Sequence, residues 1–119
     1  MGVINMKRKM MLNNEPYIKI KDGTKTIELR LNDEKRQMFK IGDIIEFTNR
    51  ETFEQMLVEI SNIYYYSSFD ELYKHFDKVS MGYEIDDVAN PKDMEKYYSN
   101  EEQEKYGVLG IEVKRYNMY

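Results

Sequence analysis

The run Thr26–Leu31 alternates without a break. Ile27, Leu29 and Leu31 fall on one side of an extended chain, and Thr26, Glu28 and Arg30 fall on the other. Such a strand needs a sheet to pair with and an apolar surface to cover one of its faces. The flanking segments supply candidates for both. A helix is expected from Glu15 to Lys21, with Asn14 as its cap, Pro16 in its first turn and Gly23 as a left-handed stop. Asp33 to Gln37 is polar enough for a helical turn. Gly42-Asp43 signals a turn before a strand over Ile44–Phe47, and a third strand is expected from about Gln55 to Ile63, with Met56, Val58 and Ile60 on one face. Ser68 to Glu71 and Ser99 to Glu102 both read as capping boxes. Behind the first, Phe69, Leu72, Tyr73 and Phe76 have helical spacing; Asn90-Pro91 opens another short helix. After Gly107 a last strand places Leu109, Ile111 and Val113 on one face. Strands and helices do not alternate regularly, so the class is α+β: a small mixed or antiparallel sheet, curled into a partial β-barrel with flanking helices.

A chain of 119 residues fits one domain. Its 41% apolar content is too high for a disordered segment. No cysteine is present, so disulfides, thiolate metal sites and cysteine nucleophiles are excluded, and the single histidine, His75, has no partner pattern for a triad or a metal cluster. No metal and no cofactor is expected. No apolar run is long enough to span a membrane. Residues 1–11 carry Lys7, Arg8 and Lys9 without the apolar core of a leader, and read as an extension before a domain over residues 12–119, with Met6 as an alternative start. A cytoplasmic location is the expectation. Charge is uneven: residues 1–40 hold ten Lys/Arg against five Asp/Glu, and residues 41–119 hold eight against seventeen. A basic first third on an acidic chain is compatible with a local site for anions and equally with ordinary solvated faces.

One segment concentrates chemistry. In Gly23-Thr24-Lys25-Thr26-Ile27-Glu28-Leu29-Arg30, two strand steps separate Glu28 from Arg30, close enough for their side chains to touch, and Lys25 lies in the turn beside them. The three form either a salt bridge on an ordinary strand face or a grip for phosphate and carbonyl oxygens with a proton carrier attached. Lys35, Arg36 and Lys40 follow and are candidate phosphate contacts. Tyr64 to Tyr66 offer stacking faces but equally suit packing, as do Tyr97 and Tyr98. The acidic stretch with Glu84, Asp86 and Asp87 reads as a solvated loop, and its spacing does not match a calcium loop.

The pattern Gly-x-Lys-x-x-Glu-x-Arg over residues 23–30 resembles that of ASCH domains, a branch of the PUA-like superfamily. Asn32–Arg36 with Lys40–Phe47 resembles the family's second segment, Ser68–Leu72 its mid-chain helix, and Tyr97–Ser99 with Glu104–Val108 its closing helix and strand. The resemblance covers residues 12–114. It implies a small barrel with a cleft lined by the Lys-Glu-Arg cluster, and binding of RNA or of a nucleoside- or nucleotide-like ligand through Lys25, Glu28, Arg30, Lys35, Arg36, Tyr97 and Tyr98, Glu28 accepting hydrogen bonds from a base edge. It implies no membrane and no obligatory protein partner. One bacterial branch of the family hydrolyses N4-acetylcytidine with a lysine, a threonine and a glutamate. Here the lysine matches Lys25, Glu28 stands at the threonine position, and Glu84 is the nearest candidate for the glutamate. A lysine beside a glutamate holds its proton, which suits oxyanion binding better than base catalysis. A ligand-binding module is therefore the first expectation, an amidohydrolase using Lys25, Glu28 and Glu84 the alternative, and a protein-interaction module without a ligand the third.

Overall fold

The computed structural model describes residues 6–116. The question of a start at Met6 concerns residues outside that range. Five strands form one sheet: β1 (Lys7–Leu12), β2 (Ile27–Leu31), β3 (Ile44–Asn49), β4 (Gln55–Tyr66) and β5 (Val108–Arg115). Their spatial order is β1-β3-β4-β5-β2; β1 runs parallel to β3 and every other pair is antiparallel. Three helices complete the fold: α1 (Asn14–Asp22), α2 (Phe69–Leu72) and α3 (Asn100–Tyr106), with short 3-10 turns at Arg36–Met38 and Pro91–Lys96. This is the mixed, partly closed barrel of an α+β domain. No helix among the described residues is long and apolar enough to cross a membrane.

Residues 7–11, expected to be an extension, are instead an edge strand of the sheet. Met10 and Leu12 enter the core, and the carboxylate of buried Asp43 accepts from the amide of Met6 and from Arg8, fastening the start of β1 to the turn before β3. Helix α1 begins one residue before the expected start. Asn13 is its cap position without a side-chain hydrogen bond, and Asn14 instead accepts from Asn49 across to β3. Gly23, at φ +89°, ends the helix as expected. Strand β4 runs on through Tyr66 and carries a bulge between Ile60 and Asn62, which adds the local twist a curling sheet needs. Helix α2 stops at Leu72, shorter than the apolar spacing to Phe76 suggests; Ser68 caps it by accepting from the Glu71 amide. The capping box at Ser99 forms in full.

Two apolar clusters hold the sheet. One gathers Leu12 from β1, Tyr17 and Ile20 from α1, and inward residues of β3, β4 and β5, including Leu109, Ile111 and Val113. The other packs Ile27, Leu29 and Leu31 of β2 with Phe69 and Leu72 of α2 and with Met81, Met94 and Val108. Strand β2 therefore turns its apolar face to the second cluster. Its register sets Glu28 opposite Ile111 and Arg30 opposite Leu109. Residues directly opposed across a sheet share a face, so the polar half of the alternation lies on the side of the main core, at one edge of the sheet. That placement explains why Glu28, on what the alternation marks as a polar face, is only 4% exposed.

Candidate functional site

The turn after α1 delivers Lys25 to the mouth of β2. Its amide donates to Lys19 O, and the amides of Thr26 and Ile27 both donate to Ser80 O, so the long connection after α2 clamps this turn from the other side. Lys25 and Glu28 are both buried. The carboxylate of Glu28 is shared: Oε1 lies 2.9 Å from Lys25 Nζ, and Oε2 lies 2.7 Å from Arg30 Nη2 and accepts from Arg30 Nε at 2.8 Å. Arg30 Nη2 also donates to Met11 O on β1. Burial alone would raise the Glu28 carboxyl, but the two cations and their hydrogen bonds outweigh it and hold the group down to about 2. Burial likewise works against the charge on Arg30, and the Glu28 carboxylate more than offsets it, so the guanidinium is held even more firmly protonated.

These three residues form the floor of a cleft of about 690 Å³. Leu12 and Asn13 line one side, and Arg50 approaches from the β3–β4 loop. Gly82 and Tyr83 come from the connection after α2, and Tyr97 and Tyr98 from the segment before α3. Gly82, at φ +108°, lies directly against the lysine: a Cβ there would sit 3.1 Å from Lys25 Cδ. Lys19 secures that approach by donating to Gly82 O at 2.7 Å.

A family model for the ASCH domain matches residues 10–116. The chain belongs to the ASCH domain family. Two solved structures similar to this ASCH protein are the hypothetical protein PH0355, at 35% identity with a TM-score of 0.79, and protein PF0455 from Pyrococcus furiosus, at 30% identity with a TM-score of 0.71. The matches cover 93% and 96% of this chain, respectively, and all of each relative. A mutant of ZmASCH from Zymomonas mobilis shares the fold at 12% identity and a TM-score of 0.68, over 92% of this chain and 68% of its own. No curated protein matches by sequence.

Within this ASCH domain the expected site residues separate. Lys25, Glu28, Arg30, Tyr97 and Tyr98 meet at the cleft. Tyr98 is half-buried, stacks on Phe69 and faces Arg30; burial pushes its hydroxyl up. Tyr97 is exposed at the rim. Lys35 is exposed and outside the cleft lining, and Arg36 is paired with Asp33 at 3.1 Å. Glu84 also lies outside the lining. Its exposed carboxylate is bound to Lys19 at 3.0 Å, and the loop brings Gly82 rather than Glu84 against Lys25. Tyr66 stacks on His75, and Tyr64 packs edge-on against Phe76. The sequence reading missed Arg50, Gly82, Tyr73, Tyr83 and Asp93, all of which line the cleft. Gly82 had a local signal, a glycine before acidic residues; Tyr73 was read as a packing residue at helical spacing, and Arg50, Tyr83 and Asp93 come from segments without periodicity.

Proposed function

We propose that this ASCH domain binds a nucleoside-sized ligand, with Lys25 and Arg30 offering N–H donors to its carbonyl or other oxygen acceptors and Tyr97 and Tyr98 flanking a planar base. The observation that carries this reading is a buried, charge-paired Lys25–Glu28–Arg30 cluster on the floor of a cleft large enough for a whole small molecule. Each oxygen of Glu28 already has a cation against it, which supports a role in holding Lys25 and Arg30 in place rather than in reading a base edge. Charge argues for a small ligand over a polyanion. Lys25, Arg30, Arg50 and Lys96 on the lining are balanced by Glu15, Glu28, Asp87 and Asp93. A backbone-tracking RNA groove would carry a net positive lining.

The test is calorimetric titration of the folded protein with nucleosides, nucleotides and a short single-stranded RNA across a range of salt. Saturable nucleoside binding that is nearly independent of salt and lost in Lys25→Ala supports the reading. Tight RNA binding that falls steeply with salt, without nucleoside binding, overturns it.

A second reading, hydrolysis of N4-acylated cytidine, draws on the placement of the Lys25 ammonium inside the cleft. Glu28 is a weak base when held near 2, and Glu84 lies outside the cleft lining, paired with Lys19. An assay of acylated cytidines with wild type, Lys25→Ala and Glu28→Thr decides it: on the hydrolase reading Glu28→Thr raises turnover and Lys25→Ala abolishes it, whereas a binder shows no turnover in any form.

A further inference from the structure

The cleft wall opposite in chemistry to its cationic floor is a chain of three oxygens. The hydroxyl of Tyr83 lies 2.7 Å from Asp93 Oδ2 and 2.9 Å from the hydroxyl of Tyr73. All three residues are half-buried and line the cleft. Burial raises both tyrosine hydroxyls, so each keeps its proton at neutral pH.

The proton count then sets the direction of the chain. Tyr83 has one hydrogen and three oxygen neighbours: the charged Asp93 carboxylate at 2.7 Å, the Tyr73 hydroxyl at 2.9 Å and, farther off, the Asn90 carbonyl at 3.3 Å, which like the carboxylate only accepts. The carboxylate can only accept, so Tyr83 donates to Asp93. Tyr83 has no second hydrogen, so its contact with Tyr73 requires Tyr73 to donate to Tyr83. The Tyr73 hydrogen is consumed, and what remains available on Tyr73 is a lone pair. Asp93 makes no ion pair among the described residues, and its second oxygen is likewise an acceptor only. The cleft thus offers donors from Lys25 and Arg30 and acceptors from Tyr73 and Asp93.

We propose that the Asp93–Tyr83–Tyr73 relay is a specificity element that selects ligands with an amino group on their planar ring over congeners with a carbonyl in its place. This rests on the nucleoside reading of the cleft and adds to it the chemical class. An amino group gives Tyr73 or Asp93 a hydrogen. A carbonyl sets lone pair against lone pair, and an acceptor left without a donor in a partly desolvated site lowers affinity by about tenfold.

The experiment is calorimetric titration with two matched pairs, cytidine against uridine and adenosine against inosine, on wild type, Tyr73→Phe and Asp93→Asn. Wild type is expected to bind the amino member of at least one pair about tenfold more tightly. Tyr73→Phe removes the acceptor and should bring the pair together, weakening the amino member and relieving the clash with the carbonyl member, whose continued binding also reports that the cleft is intact. Asp93→Asn lets the side-chain amide donate to Tyr83, frees the relay to reverse and should narrow or invert the preference. Equal binding of both members by wild type, or a preference unchanged in both variants, overturns the inference and leaves the nucleoside reading standing. No binding of any nucleoside overturns that reading and the inference with it.

Discussion

Replacing Glu28 by glutamine keeps the shape of the side chain and removes the one negative charge that Lys25 and Arg30 share. The cost follows from how far the carboxyl is depressed, from an ordinary value of 4.5 to about 2. Each pH unit corresponds to ~1.4 kcal/mol, so at neutral pH the charged carboxylate holds about 3 kcal/mol of folding stability. The sign follows from the direction. A group with a lowered folded-state value contributes above its unfolded value and loses the contribution as pH falls from about 4.5 toward 2. Removing one partner of a buried ion pair typically costs ~3–5 kcal/mol, in agreement. Glu28→Gln should therefore lower Tm by roughly 12 °C, at ~4 °C per kcal/mol for a domain of this size. Its stability should also lack the wild-type loss between pH 4.5 and 2. Thermal melts at neutral pH measure the first, and urea unfolding from pH 2.5 to 7 measures the second. A variant within ~1 kcal/mol of wild type with the same acid profile would refute the reasoning. Replacing all three residues together with apolar side chains of similar volume should restore much of the lost stability, because no charge is then left unpaired.

Two further outcomes follow from the loop over the lysine. Gly82→Ala should destabilise the fold by ~1–3 kcal/mol through the positive φ and the approach to Lys25 Cδ, and weaken nucleoside binding more than Gly42→Ala, a positive-φ glycine outside the cleft lining; thermal melts and titrations compare the two. Lys19→Ala removes the bonds to Gly82 O and to Glu84, so amide exchange over residues 80–88 should accelerate while exchange in β4 and β5 does not change.

Much of this molecule is written locally. The alternation at Thr26–Leu31, the left-handed stop at Gly23 and the cap at Ser99 each depend on a few neighbouring residues. The floor of the cleft was legible for the same reason, since Lys25, Glu28 and Arg30 lie within one turn and one strand. What was not legible depends on distant partners. Strand β1 has no clean alternation, and its pairing is parallel to a strand more than thirty positions away; nothing within residues 7–12 states that register. Helix α2 ends at Leu72 because Tyr73 and Phe76 pack into the second cluster and against Tyr64 rather than along one helix face. Glu84 looked like a cleft residue by position, but its carboxylate pairs with Lys19 of α1 and stays outside the lining. The relay of Tyr73, Tyr83 and Asp93 joins points ten positions apart, the end of α2, a loop and a 3-10 turn, and no local pattern states that they meet.

The pairing of β2 with β5 has a consequence for how the molecule is made. Strand β2 lies in the first third of the chain, and among the described residues its only sheet neighbour is β5. As the chain emerges from the ribosome, β1, β3 and β4 can find one another while β2 waits unpaired, its carboxylate and two cations still hydrated. Only when β5 arrives are Glu28 and Arg30 drawn out of water against Ile111 and Leu109. The floor of the cleft is then assembled only when β5 pairs with β2, so forming the cleft and closing the sheet are one event.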